Sequence, residues 1–96
     1  MSKKLEKKQQ AEEEIFLEID RIYSISDLGL TTALATAGFT LLALDRENPN
    51  KVKFVFRREQ NIEKVADDFW ADRLVQNSRS FWDNLKNLKN RLHSDN

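Results

Sequence analysis

The chain predicts a small α+β domain in which helices pack on one face of an antiparallel β-hairpin. Three observations carry that expectation. Lys51-Val52-Lys53-Phe54-Val55-Phe56-Arg57 alternates cleanly behind the turn-forming Glu47-Asn48-Pro49-Asn50, and a two-residue period marks a half-buried strand. Apolar residues at helical spacing lie on both sides of that segment, at Leu30, Ala33, Leu34 and Ala37 before it and at Phe81, Leu85, Leu88 and Leu92 after it. A hairpin of this size cannot stand alone, so it must borrow its core from those helices.

Taken in order, residues 1–14 hold only Leu5 as a large apolar side chain besides Met1. They have no face to bury and read as a solvent-exposed extension. Ile15, Ile19 and Ile22 share one helical face with Phe16 at its edge, so a helix is expected over about 11–21. Tyr23-Ser24-Ile25-Ser26 reads as extended chain. Ser26 or Asp27 can cap the next helix, whose narrow stripe is Leu30, Ala33, Leu34 and Ala37. Gly38 stands where a left-handed C-terminal cap is wanted, with Phe39 as its hydrophobic contact. Thr40–Leu44 is the first hairpin strand and 51–57 the second, with Val52, Phe54 and Phe56 on one face and Lys51, Lys53, Val55 and Arg57 on the other.

Asn61 can cap a further helix with the stripe Ile62, Val65, Ala66, Phe69 and the stem of Arg73, flanked by Trp70 and Leu74. Ser78 or Ser80 starts the last helix, and Ser80 with Asp83 has capping-box spacing. The expected order is α-α-β-β-α-α. Residues 1–22 form a charged, partly helical extension and residues 23–93 the compact domain.

Composition narrows the function. The 96 residues carry 16 basic and 16 acidic side chains and no cysteine. The missing thiols exclude a disulfide scaffold, a thiolate metal site and a cysteine nucleophile, and they fit a reducing cytoplasm. No apolar run approaches the roughly 18 residues of a membrane span, and the lysine-rich start lacks a signal-peptide core. No membrane partner is expected. The zero net charge is blocky: +3 over residues 1–8, −5 over 11–20, +4 over 51–58, −4 over 59–72 and +3 over 73–96. Neutrality argues against a general polyanion binder, whereas local basic blocks can still form a binding face.

Catalytic chemistry finds little footing. His93 is the only histidine and lies four residues from the end, so no base is held near a nucleophile. Two glycines cannot build a phosphate-cradling loop. The carboxylate pairs Glu63/Asp67 and Asp68/Asp72 fall roughly 140° apart on a helical wheel, too far apart to converge on one proton or one metal ion. The expectation is a protein that is not an enzyme and holds no cofactor or metal.

Two surfaces could bind a partner. On the last helix Trp82, Lys86, Lys89 and His93 fall within about 60° of arc, and Arg79 extends the stripe. Cations neutralise phosphate and an indole stacks on a base, and the same mixture suits an acidic protein surface. On the hairpin, Lys51, Lys53 and Arg57 project from one strand face, which suits a ribbon entering a groove but equally an edge protected from aggregation. The Phe69-Trp70 and Phe81-Trp82 pairs together would crowd a small core, so one tryptophan is expected at an exposed or oligomeric contact. A homodimer could also form through the N-terminal extension, by its basic block meeting its acidic one.

Several of these residues also form an ordered set. It comprises Tyr23-x-x-Ser26-Asp27-Leu28-x-Leu30, Gly38-Phe39-x-Leu41, Val52-x-Phe54-Val55-Phe56, Phe69-Trp70, and Phe81 with Leu85, Leu88 and Lys89. The set resembles a small bacterial and phage domain family of unknown function over residues 23–93. The resemblance implies a core over that stretch and brings no activity, cofactor or ligand with it. The expected function is therefore a small non-enzymatic binding protein, engaging nucleic acid through Lys51, Lys53, Arg57, Arg79, Trp82, Lys86 and Lys89. The alternative is a protein-interaction module, a phage or mobile-element factor that binds a host protein through the same residues.

Overall fold

The computed structural model describes residues 21–94. Its elements are β1 (Ile22–Ile25), α1 (Leu28–Thr36), β2 (Leu41–Asp45), β3 (Lys53–Arg57), α2 (Ile62–Trp70) and α3 (Ser78–Ser94). The alternation of β3 sets the layers. Phe54 and Phe56 are buried while Lys53 and Arg57 are exposed, and all three described helices contribute to the core beneath the two phenylalanines. That core contains Leu30 and Leu34 from α1, Ile62 and Ala66 from α2, and Leu88 from α3. The α+β class holds.

The element order differs from the expected one. The sheet has three antiparallel strands in the order β1-β3-β2, so the described residues run β-α-β-β-α-α. Tyr23-Ser24-Ile25, expected as extended chain, is extended and pairs as an edge strand, with Tyr23 opposite Phe56 and Ile25 opposite Phe54. Ile22, expected on a helical face, lies in that strand opposite Arg57, and the backbone N–H of Arg58 extends the pairing to the Arg21 carbonyl at 2.7 Å. Residues 11–20 of the expected first helix lie outside the described residues. A hairpin leaves the far edge of its second strand unpaired, and β1 supplies the missing backbone partners.

β2 carries an irregularity. Leu41 opposes Phe56 and Leu44 opposes Phe54, with a register shift between Leu41 and Ala43. Two leucines three residues apart would point to opposite faces of a regular strand. One extra residue turns both inward and leaves Leu42 45% exposed.

α1 is the central helix. Asp27 caps it, its Oδ1 accepting from the Leu30 N–H at 2.8 Å, as one of the two expected caps. The buried surface is wider than a stripe, since Leu30, Thr31, Thr32, Ala33 and Leu34 are all buried. Thr31 and Thr32 remain satisfied because their hydroxyls donate to the Asp27 and Leu28 carbonyls, each at 2.7 Å. Ala37, expected on the stripe, is instead the exposed C-terminal cap.

The expected glycine stop at Gly38 is present. Gly38 sits at φ 99°, its N–H donates to Ala35, and the Phe39 N–H donates to Leu34. These are the paired bonds of a Schellman closure. α2 ends the same way without a glycine. Asp72 takes φ 59°, while the Asp72 and Arg73 N–H groups donate to Phe69 and Asp68. α2 therefore stops at Trp70, and Arg73 and Leu74 do not extend its stripe as expected.

Two other caps differ from expectation. Asn61 precedes α2 in a left-handed conformation and makes no side-chain capping bond. α3 is capped by Asn77, whose Oδ1 accepts from the Ser80 N–H at 3.0 Å. Ser80 and Asp83 form no reciprocal box among the described bonds, and Asp83 lies 3.7 Å from Lys86 instead.

The positive-φ positions that close α1 and α2, Gly38 and Asp72, give opposite expectations. A Cβ at Gly38 would meet nothing within 4 Å, so Gly38→Ala carries only the backbone penalty and lowers unfolding stability by about 1 kcal/mol. Asp72→Gly removes a similar strain, less the extra freedom glycine gives the unfolded chain, and raises stability by about 0.5 kcal/mol. Urea melts of the two variants beside the parent measure both.

Candidate functional site

The residues singled out on α3 remain on its exposed flank. Arg79, Trp82, Lys86, Lys89 and His93 are all exposed, while Phe81, Leu85, Leu88 and Leu92 turn toward the protein. Lys86 lies beside the Trp82 ring with Nζ 6.0 Å from the centroid, and Asp83 approaches the same ammonium. This cation is shared between an indole face and a carboxylate. Arg79 and Lys89 have no acidic partner within 4 Å among the described residues.

The hairpin cations are placed differently. Lys53 and Arg57 share the outer face of the sheet with Val55, whereas α3 belongs to the helical layer against the inner face. The two basic surfaces therefore do not merge into one. Acids also surround the hairpin lysines: Lys53 is opposite Asp45 in the ladder, and Lys51 and Lys53 line a hollow with Asp45, Glu47 and Asn48.

The sequence reading did not anticipate a groove of about 380 Å³ between the end of α2 and the start of α3, lined by Phe69, Asp72, Leu74, Gln76, Ser78, Phe81 and Trp82. Each wall has a local cause. Phe69 and Trp70 meet edge to face at 5.0 Å between centroids. Because α2 stops at the left-handed Asp72, the chain turns and presents Leu74 and Val75 from a loop. Gln76 then pins that loop to α1, its Nε2 donating to the Ala33 carbonyl at 2.8 Å. One turn into α3, Asn84 anchors that helix to α1 through the Thr36 hydroxyl at 3.0 Å. Trp82, which lines the groove, is 55% exposed, and Trp70 at 63% and Val75 at 92% follow the lining residues Phe69 and Leu74 in sequence. The available sequence signal was Val75, an apolar residue that follows Leu74 and belongs to neither helical stripe.

Among the described residues, Asp68 and Glu63 each face a cation rather than another acid. Asp68 accepts from Lys64 Nζ at 3.1 Å and lies 3.3 Å from Arg73 Nη2, and Glu63 pairs with Arg58. Arg58 also stacks 5.3 Å from the Tyr23 centroid. The hydrogen bond from Lys64 is the main reason the Asp68 carboxyl is held below its ordinary pKa. Desolvation pushes the other way, and Arg73 adds to the lowering. The Tyr23 hydroxyl is pushed up, first by burial and then by the charges of Glu63 and Asp67, with Arg58 opposing.

Residues 20–94 match a family described as a domain of unknown function, DUF5659. The chain belongs to the DUF5659 family. The match covers every described element from β1 to α3 and leaves residues 1–19 outside it. No curated protein and no solved structure matches the chain. The family expectation from the aromatic and glycine pattern is thus met, and DUF5659 membership assigns no ligand to the groove.

Asp68 gives this site a pH signature. A carboxyl with a lowered folded pKa stabilises the fold above the unfolded value, and that gain disappears as pH falls through the folded one. Asp68→Asn should therefore melt below the parent at neutral pH, with the gap closing on acidification below about pH 4. Thermal melts across that range measure it, and a gap that widened in acid would contradict the assignment.

Proposed function

We propose that this DUF5659 domain is a protein-interaction module that seats an apolar segment of a partner protein in the groove between α2 and α3. One observation carries the reading: a groove lined by Phe69, Leu74, Phe81 and Trp82 keeps Trp82 more than half exposed, and exposed Trp70 and Val75 stand next in sequence to lining residues. Water contact with indole and branched aliphatic surface is costly, and contiguous exposed apolar surface favours association. Tryptophan is enriched among the side chains that dominate interface energies. The groove has a rigid frame, because the Schellman turn at Asp72, the Gln76 bond to Ala33 and the Asn84 bond to Thr36 fix its walls before a partner arrives. Such preorganisation lowers the entropic cost of binding. Arg79, Lys86 and Lys89 on the adjoining flank supply charge that would orient an acidic partner segment.

A second reading rests on the same flank of α3. Arg79, Trp82, Lys86 and Lys89 are exposed together, which suits a single nucleic-acid strand held by phosphate contacts with a base stacked on Trp82. Roughly two or three phosphate contacts would give a salt slope near −2 on logarithmic axes.

Binding assays with the full chain separate the two. Trp82→Ala should weaken retention of a protein partner at high salt by at least about 2 kcal/mol, or some thirty-fold, while Lys86→Glu with Lys89→Glu has a smaller effect there. Under the second reading, fluorescence anisotropy detects single-stranded DNA or RNA at low salt, and the double Glu variant abolishes the signal. Failure of Trp82→Ala to affect a retained protein would remove the groove from the interaction.

A further inference from the structure

We propose that the groove between α2 and α3 seats one arginine side chain of the partner segment, its methylene stem against the aromatic walls and its guanidinium on the Asp72 carboxylate. The inference rests on the groove reading above and names the group that enters it. The charge inside the groove is opposite in sign to the charge beside it. Asp72 is the only charged side chain in the lining, and Gln76 and Ser78 are its other polar members. Arg79, Lys86 and Lys89 are exposed on the α3 flank, and none of them belongs to that lining. The Asp72 carboxylate has no cation within 4 Å among the described residues, whereas Asp68 is held between Lys64 and Arg73. An arriving cation therefore displaces no internal partner. An acidic side chain in the same place would meet an uncompensated like charge.

The rest of the lining selects arginine among cations. Phe69, Phe81 and Trp82 give the groove three aromatic walls. A guanidinium is planar and more weakly hydrated than an ammonium, so it stacks on aromatic faces while its fork pairs with a carboxylate. Trp82 already serves one cation in this way, with Lys86 Nζ 6.0 Å from its ring centroid. Asp83, 3.7 Å from that ammonium, offsets its charge, so Lys86 does not close the groove to a second cation. The volume of about 380 Å³ lies at the small end of the roughly 300–1,000 Å³ of ligand-sized cavities. That suits one long side chain rather than a whole helix face. The turn that carries the carboxylate is set beforehand, because Asp72 holds φ 59° and its N–H donates to the Phe69 carbonyl at 3.2 Å. Acidic residues steered by Arg79 and Lys89 then belong to neighbouring positions of the segment, outside the groove.

Panning a library of random linear dodecapeptides on the full chain tests this. Peptides held by the groove, recognised because Trp82→Ala releases them, should carry an arginine. Asp72→Asn should weaken their binding at least about fivefold. Exchanging the peptide's arginine for leucine should weaken it as much, and the two changes together should cost no more than either alone. Asparagine takes left-handed backbone as readily as aspartate, so Asp72→Asn keeps the turn, and the peptide exchange leaves the protein untouched. Groove-dependent peptides that lack arginine, or that bind Asp72→Asn unchanged, would overturn the inference and leave the groove reading standing. If no selected peptide depends on Trp82, the groove reading fails and this inference with it.

Discussion

Phe54 and Phe56 must both face inward from β3, and most of the architecture follows from that requirement. They are fully or almost fully buried, and a one-residue slip in register would exchange them for Lys53, Val55 and Arg57. β1 meets the requirement with a regular strand, because Tyr23 and Ile25 are two residues apart. β2 cannot, because Leu41 and Leu44 are three apart, and the irregularity at Leu42–Ala43 absorbs the mismatch. The same step brings Leu44 inward and leaves Leu42 exposed at the irregularity.

On the inner side, α1 is the hub. Its threonines at 31 and 32 can be buried because their hydroxyls return to the helix's own carbonyls. A Cβ at Gly29 would press on the capping carboxylate, 3.2 Å from Asp27 Oδ1, and come into ordinary contact with the Phe69 ring at 3.4 Å. The groove is thus assembled from the ends of elements whose middles are fixed by the core. Phe69 serves two surfaces, packing against the core while forming a wall, and Trp70 and Trp82, one residue beyond Phe69 and Phe81, turn outward because successive helical positions are about 100° apart.

Most of the features that were legible in the sequence have a local cause. The alternation of β3, the glycine stop at Gly38, the Asp27 cap and the seam of α3 each depend on residues within a few positions of one another, and all are present. β1 was only half legible. Ile22 continues the spacing of Ile15 and Ile19, and only the free edge of β3, more than thirty residues away, makes strand the better state. The end of α2 was illegible for another reason: an aspartate holds the left-handed position that a glycine would have announced. On the site, the exposed flank of α3 could be read because one helix carries all of it. The groove could not, since it depends on where the 71–77 loop lies, and that is decided by the Gln76 bond to Ala33.

The charge pattern shows why groove and flank have to be weighed together. Linear blocks exaggerate the free charge, because the fold brings opposite signs together: Asp45 across from Lys53, Glu63 on Arg58, Asp68 between Lys64 and Arg73, and Asp83 beside Lys86. Each pairing is worth little to stability at an exposed position, yet each subtracts a cation from what a polyanion would meet. Arg79 and Lys89 are left beside the groove, on the same flank as Trp82. Two spare cations give a modest electrostatic pull, whereas burying one exposed indole, with up to about 200 Å² of surface, carries several times the free energy of an exposed ion pair. That balance is the reason the proposed role rests on apolar contact for affinity and on the cations for steering.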